Sequence, residues 1–472
     1  MKLLLIAPAS GHWRNIGRTR LFNGRTFHFS LLSLLSVAAE TPPEVEVQIV
    51  DEQIEDVPWD APVDLVGITC MTAAAPRAYE IAAQFRQRGV PVVLGGMHPT
   101  LCLEEAQQHA DAILAGEAEG VWPRVIADAQ AGRLKGIYRN EVPPDLRGLK
   151  RPPRPLLRRK GYATVETVQA TRGCPHGCDF CSVAAFHRRT YRCRPVAEVV
   201  REIAGLPGRF FVFADDNLVA DRAYARALLQ ALLPLKKRWI TQATLSMAED
   251  PDFVQLAADA GCIGVFVGLE TFLSANLDAV QKTCNRVEQY RQAIRRLHQH
   301  GIGIEAGIVF GFPGDGPKVF ERTLRLLDDL EVDVILASVF TPLPGTPRFA
   351  AMRDRILDRN WAHYDFDHAV FDPWGLSAEA LEAGQQWVTR EFYRPWRIVR
   401  RVWRHWRRPR CWACLPYLAV VNLAFYGRTV RWHIRGWNPA AEAGRPTRSR
   451  YFLWERIRSF LRPLKVATET IR

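Results

Sequence analysis

The sequence predicts an α/β protein with two parallel sheets in series, a doubly wound domain followed by a partial six-unit barrel, and a helical, basic C-terminal extension. Three observations carry that reading. Short apolar runs alternate with amphipathic stretches over residues 1–138 and again over 166–350. A Pro- and Arg-rich stretch without periodicity, residues 139–165, separates the two series and reads as a linker. The net charge of +13 sits at the end of the chain, where residues 390–472 hold 20 Lys and Arg against four acids; everything before is near −3.

Bulk composition sets the frame for these elements. A chain of 472 residues can bury two or three cores, and 48% hydrophobic with 24% charged residues is globular rather than disordered. Ten scattered cysteines do not form a disulfide framework, which points to a reducing cytoplasm. The start of the chain imitates a signal peptide through Ala7-Pro8-Ala9. Its apolar core is shorter than the ~7 to 15 residues an h-region needs, so it is read as a first buried strand.

In the first series the expected strands are 3–7, 45–50, 65–69, 90–94 and 112–114. Ligands of a doubly wound sheet sit beyond the carboxyl ends of its strands. Those ends are residues 8–11, residues 69–72 beginning with Thr69, the run Gly95-Gly96-Met97-His98-Pro99-Thr100, and Gly116-Glu117. Gly95-Gly96 either lets a large ligand approach the backbone or makes a plain tight turn.

In the second series strands are expected over 167–170, 210–214, 240–246, 265–268, 304–310 and 334–340, with amphipathic helices over 223–233, 251–260, 287–300 and 319–330. Six strand-helix units predict a barrel or partial barrel whose chemistry gathers at the carboxyl-terminal strand ends. Directly after its first strand comes Cys174-Pro175-His176-Gly177-Cys178-Asp179-Phe180-Cys181, a C-x3-C-x2-C array. Three such thiolates can hold three irons of a [4Fe-4S] cluster and leave the fourth open to a cofactor. The competing reading is a structural zinc site completed by His176 or His187; zinc sites more often pair C-x2-C with a second, distant pair. Further strand ends bring Asp215-Asp216-Asn217, Ser246, Gly268-Leu269-Glu270-Thr271 and Gly311-Phe312-Pro313-Gly314 to the same mouth. Singly, Asp216 or Glu270 suits an N-cap or a surface ion pair. Together, carboxylates and amides at consecutive strand ends suit an ammonium group and ribose hydroxyls, and glycines leave room for a nucleoside.

With these motifs in place the chain resembles radical S-adenosylmethionine enzymes: the cysteine loop with Phe180, the acidic second strand end, Gly268-Leu269-Glu270, and Gly307-Ile308-Val309-Phe310-Gly311-Phe312-Pro313-Gly314. Its N-terminal part, through the Gly95–Thr100 loop and Gly116-Glu117-Ala118-Glu119, resembles the flavodoxin-like cobalamin-binding domain of the subgroup that includes hopanoid methylases and the anaerobic magnesium-protoporphyrin ester cyclase. The resemblance covers residues 1–350. It implies that Cys174, Cys178 and Cys181 ligate a [4Fe-4S] cluster whose open iron takes S-adenosylmethionine, and that electron transfer to the sulfonium yields a hydrogen-abstracting 5'-deoxyadenosyl radical. It further implies that Phe180, Asp216, Asn217, Ser246, Glu270, Gly307 and Gly311 border S-adenosylmethionine, that Thr69, Gly95, Gly96, His98, Gly116 and Glu117 border cobalamin, and that a flavodoxin or ferredoxin supplies electrons. The Asp-x-His-x-x-Gly loop that supplies the lower cobalt ligand in the cobalamin mutase and methionine synthase families is absent. His98 is the nearby alternative, or else a turn residue.

In the tail, Phe392, Trp396, Val399, Trp403 and Trp406 recur at helical spacing among arginines. Residues 411–427 are uncharged but contain Pro416 and Asn422 and fall short of the ~20 residues of a spanning helix, which favours an interfacial or core-packed segment. A further helix is expected over 450–464. Binding to an anionic membrane surface is the leading reading of this tail, ahead of packing over the barrel and of nucleic-acid binding. Cys411-Trp412-Ala413-Cys414 lacks a second cysteine pair and reads as two half-buried thiols. The function expected is methylation of an unactivated carbon in a hydrophobic or lipid-like substrate. The alternatives are a radical cyclase or carbon-carbon coupling enzyme and, from another class, a zinc-binding interaction protein. A tRNA methylthiotransferase would carry a second cysteine trio in the N-terminal domain, where only Cys70 and Cys102 stand.

Overall fold

The computed structural model describes residues 1–9 and 31–429. The helix expected over 450–464, and the part of the first strand-end loop beyond Ala9, lie outside the described residues.

The first sheet contains β1 (Lys2–Ala7), β2 (Glu46–Asp51), β3 (Leu65–Thr69), β4 (Val92–Gly95), β5 (Ala112–Ala115) and β6 (Ile137–Arg139), all parallel, in the order β2-β1-β3-β4-β5-β6. Strand β1 explains the doubly wound form. Its side chains alternate between faces, so Leu3 and Leu5 enter one core with Leu35, Trp122 and Val125, while Leu4 and Ile6 enter a second core with Ala78, Ile81 and Phe85. A strand buried on both sides reads as an unbroken apolar run, which is how it looks in the sequence. Strand order reverses between β1 and β3, and the crevice at such a switch point is where ligands bind. Strand β6 has no such signature because only Tyr138 of its three residues is buried.

The Pro- and Arg-rich segment is a packed strap and not a free tether. Arg154 is buried in it and pairs with Glu202 at 2.6 Å, and the Tyr162 hydroxyl donates to Asp51 at 3.1 Å.

The second sheet contains β7 (Thr167–Val168), β10 (Phe210–Phe213), β11 (Arg238–Gln242), β12 (Cys262–Glu270), β13 (Gly303–Phe310) and β14 (Val334–Val339), each parallel to its sequence neighbour in that set. Between β7 and β10 lies an antiparallel ribbon of β8 (Thr171–Gly173) and β9 (Tyr191–Cys193). Among the described residues no strand pairing joins β7 to β14, so the barrel is partial. An open edge invites association. Here helix Ala378–Phe392 covers it: Gln385 donates to the Ala337 carbonyl at 2.6 Å, and the Tyr393 hydroxyl beyond the helix bonds both N–H and C=O of Ile335.

Helix Pro395–Trp406 turns its aromatic stripe outward. Ile398, Arg401 and His405 point inward, while Trp396, Val399, Trp403 and Trp406 are 51–67% exposed. Arg401 is buried over the Phe392 ring and donates to the Phe392 carbonyl and the Asn422 side chain. Helix Leu415–Thr429 packs into the protein, with Leu418 and Val421 buried. No described helix is long and apolar enough to cross a membrane. Cys411 and Cys414 are fully buried, not half-buried as the sequence suggested.

Candidate active site between the two sheets

The cysteine loop is the turn of a hairpin. Gly173, at the end of β8, has φ +84°, and a Cβ there would stand 2.1 Å from the Thr190 carbonyl, so only glycine lets the chain turn into Cys174. Strand β10 then fixes the hairpin. Asp215 is buried and accepts from the Ala170 N–H at 3.1 Å and the Thr171 hydroxyl at 2.6 Å; burial pushes its carboxyl up to about 7 against those hydrogen bonds. Asp216 accepts from the Gly173 N–H at 3.0 Å. Asn217 donates to Cys174 Sγ at 3.8 Å and accepts from the Thr244 N–H. On the far side of the loop Arg348 grips Asp179 at 2.5 Å. Asp216 and Asn217 therefore position the loop itself, a closer role than the one their strand-end location suggested.

Two side chains that no motif marked complete this neighbourhood. Lys282 is partly buried and bonds Glu270 at 2.6 Å, and its charge reaches Cys178, Cys181 and Cys284. Burial opposes that charge, yet Glu270 and the thiols raise its affinity for the proton. Glu270 is thus paired, at φ +63°, where the register of β12 against β13 shifts. Gly268 is required beside it, because a Cβ there would meet Glu270 Oε1 at 2.2 Å. Cys284 lies against Cys178 as a fourth thiol. Both Lys282 and Cys284 sit in an irregular stretch between helix Ser274–Ala279 and the helical turn that begins at Val287, so neither periodicity nor spacing announced them.

The remaining expected residues divide. Ser246 stands not on a strand but in the 3-10 helix Leu245–Glu249, its hydroxyl 2.8 Å from that of Thr244. Gly307 on β13 faces Phe266 and Gly268. Gly311 has φ +104° and its missing Cβ would strike Leu381, so it serves the turn that Asp315 caps. The Phe180 ring packs edge-on to Phe340.

Facing this mouth are the strand ends of the first sheet. A cavity of about 360 Å³ lies between them, lined by Thr69, Gly95, Gly96, Gly116, Glu117 and Trp122 from one side and Gln169, Arg172, Phe186 and His187 from the other. Gly96 at φ +93° could not carry a Cβ, which would stand 2.5 Å from Thr69 Oγ1. Among the described residues nothing lies within 4 Å of where a Gly116 Cβ would project. Thr100 ties the two loops, donating to the Gly96 carbonyl and accepting from the Gly116 N–H.

Two of the six residues expected beside cobalamin do something else. His98 is fully buried on the other side of its loop, with Tyr79 at 3.0 Å and the Trp361 ring at 5.4 Å, and does not line the cavity. Glu117 lines it but spends its carboxylate on Arg172 at 2.6 Å, Arg192, and His187 at 3.2 Å, while Glu119 holds the other nitrogen of Arg172. Burial would raise the Glu117 carboxyl, but hydrogen bonds from His187, Arg192 and Arg172 and the charge of Arg172 hold it down at about 2. Arg172 is the residue before Gly173, so this network couples the first sheet directly to the cysteine hairpin.

Residues 168–327 match the Radical SAM superfamily and residues 36–126 match the B12 binding domain. The bacteriochlorophyllide d C-12(1)-methyltransferase of Chlorobaculum tepidum is 30% identical over 387 residues, covering 79% of this chain and 84% of that protein. The chain belongs to the cobalamin-binding radical S-adenosylmethionine methyltransferase family. The C-8(2)-methyltransferase from the same organism is 31% identical over 73% of this chain and 80% of its own, and the hopanoid C-2 methylase of Rhodopseudomonas palustris is 26% identical over 66% and 62%. Among solved structures, the methyltransferase TsrM from Kitasatospora setae shares the fold with a TM-score of 0.60 at 19% identity, over 75% of this chain and 78% of that one. OxsB does so with 0.62 at 14%, over 88% and 72%.

As a member of this family, the protein uses a [4Fe-4S] cluster, S-adenosylmethionine and cobalamin. The thiol trio fits a cluster better than one zinc ion. Sulfurs around zinc stand ~2.3 Å from the metal. Yet Cys174, Cys178 and Cys181 are not among the described groups whose ligand atoms all approach within 4.8 Å of one another. A cage of several irons needs that wider spacing.

Proposed function

We propose that this protein transfers a methyl group to an unactivated carbon of a hydrophobic, ring-containing substrate, with a tetrapyrrole favoured over a lipid. The observation that carries the reading is a cavity onto which the glycine loops of one sheet and the Arg172, Phe186 and His187 side of the other sheet's cysteine hairpin both open. The two bacteriochlorophyllide methyltransferases at 30–31% identity support the tetrapyrrole preference. With its cofactors bound, such a site supplies an electron to cleave S-adenosylmethionine, a radical that removes a substrate hydrogen, and a cobalt-borne methyl group.

In this reading Cys174, Cys178 and Cys181 hold the cluster, and Asn217 orients Cys174. Lys282 presents the positive charge for the methionine carboxylate, with Glu270 fixing it. Asp216, Ser246 and Gly307 border the nucleoside side of the mouth. Thr69, Gly95, Gly96 and Gly116 would hold cobalamin, their glycines leaving room for it close to the backbone, while His98 is turned away toward Tyr79. The Glu117 network closes one side of the cavity with fixed charges in place of water, which protects a reactive intermediate. Electrons come from a small redox protein of the flavodoxin or ferredoxin type.

The exposed Trp396, Trp403 and Trp406, interleaved with Arg400 and Arg407, support docking on an anionic membrane surface, from which a hydrophobic substrate is drawn. Replacing these three tryptophans by alanine leaves the buried face intact and is expected to abolish sedimentation with anionic liposomes; unchanged sedimentation rejects that role. The substrate reading is tested with methyl-labelled S-adenosylmethionine, cobalamin and reductant, offering bacteriochlorophyllide d or a bacterial lipid extract. Label in the tetrapyrrole is expected. Label only in lipid overturns the tetrapyrrole preference, and label in neither overturns the substrate class.

A further inference from the structure

A second cluster of donors lies at the other end of the barrel. Asp333 directly precedes β14 and accepts from the Ile304 N–H at the start of β13 at 2.9 Å, so it stands at the amino ends of the strands, away from the cysteine hairpin. One of its oxygens takes His298 Nε2 at 2.9 Å and the other takes His405 Nε2. That leaves His405 Nδ1, in a residue 2% exposed, for other work: the Cys411 thiol lies beside the ring, and among the described residues no other group bonds this atom. Beside it are Cys411 and Cys414, both fully buried, and the donor atoms of the three residues all lie within 4.8 Å of one another.

From this geometry we propose that His405, Cys411 and Cys414 bind a zinc ion that fastens the C-terminal helices to the closed end of the barrel. The donor set is a C-x2-C pair plus an imidazole, the chemistry zinc prefers over harder cations. Two thiolates neutralise a dication, so the loaded site buries no net charge. A carboxylate on the far nitrogen of a ligating imidazole is the usual means of fixing its tautomer and orientation, and Asp333 occupies that position. His298 belongs to this outer layer, because its Nε2 is spent on Asp333 and its Nδ1 faces Arg408 at 3.3 Å. Three protein donors leave the fourth tetrahedral position to water. The ion links helix Pro395–Trp406, the 3-10 turn Pro409–Ala413, and Cys414 at the head of helix Leu415–Thr429. It thereby closes a short loop in the unfolded chain and holds the helix that packs against Gly264 and Gly303.

The test is a joint count of zinc, iron and sulfide in the anaerobically purified, cluster-loaded protein expressed with zinc. Zinc stoichiometric with the chain is expected. The double variant C411S/C414S is expected to lose zinc while keeping iron and sulfide, which reports that the barrel remains folded. Should that variant fail to fold, C414H retains a donor and is expected to retain zinc; with cobalt substituted, it should show weaker thiolate-to-metal charge-transfer absorption than the parent. The proposal is overturned by a parent protein without zinc, by zinc unchanged in C411S/C414S, or by mass spectra of unreduced peptides showing Cys411 and Cys414 joined as a disulfide. None of these outcomes touches the iron count at Cys174, Cys178 and Cys181, so the two metal assignments fail independently.

Discussion

Glu117 illustrates how a residue marked by its motif can acquire a different task from its surroundings. The sequence placed it beside a ligand, whereas its carboxylate ties Arg172, Arg192 and His187 of the cysteine hairpin to the first sheet. Removing its charge leaves the buried Arg172 with Glu119 alone, so Glu117→Gln is expected to cost about 1.5–3 kcal/mol of stability in a denaturant titration. The same pairing sets an acid limb. A carboxyl held at about 2 when folded, against an ordinary 4.5, contributes stability in full above pH 4.5 and loses it as pH falls from 4.5 to 2. In the Glu117→Gln protein that limb should flatten; an unchanged acid profile would show that the pairing is not maintained in solution. Lys282 is the complementary case of a residue no motif could find. Lys282→Met is expected to weaken S-adenosylmethionine binding about 10- to 100-fold, the worth of a charged hydrogen bond. Iron content should stay unchanged and Lys282→Arg should recover part of the loss. Equal binding in Lys282→Met would remove it from the site.

Among the elements, the cysteine hairpin was half legible. The thiol spacing and Gly173 stood out, but β8 and β9 are three residues each and too short for an alternation signal, so their ribbon is visible only in space. Long buried strands were legible because a two-faced core demands unbroken apolar runs. Ser246 was misplaced on a strand because residues 243–246 continue the apolar pattern of β11 while their backbone turns into a 3-10 helix. Gly173→Ala tests the hairpin directly. A Cβ facing the Thr190 carbonyl at 2.1 Å, with φ positive, cannot be relieved by a rotamer change. Cluster reconstitution should yield far less iron per chain than in the parent, whereas Gly177→Ala, where nothing lies within 4 Å, should be loaded nearly as well. Equal iron in both variants would mean that the turn is not required.

At the scale of the molecule, alternation of apolar runs with helices made both sheets legible, and a local motif located the cluster. What joins the sheets was not legible. Arg172 meets Glu117 and Glu119 across separations of 55 and 53 residues, and no local pattern encodes such a pairing. Which face the tail helix buries was not legible for a related reason. An arginine next to apolar positions looks solvated, yet Arg401 and His405 turn inward because Asn422, a backbone carbonyl and Asp333 satisfy them, and that frees the tryptophans to face outward. The proposed methylation, served by both sheets in the cavity between them, is read from the nucleoside products of the reduced, cobalamin-loaded protein given S-adenosylmethionine and its substrate. 5'-Deoxyadenosine and S-adenosylhomocysteine are both expected to rise with methylated product, and both the deoxyadenosine and the methylated product are expected to vanish in the Cys174→Ala variant; deoxyadenosine without S-adenosylhomocysteine would contradict the proposal.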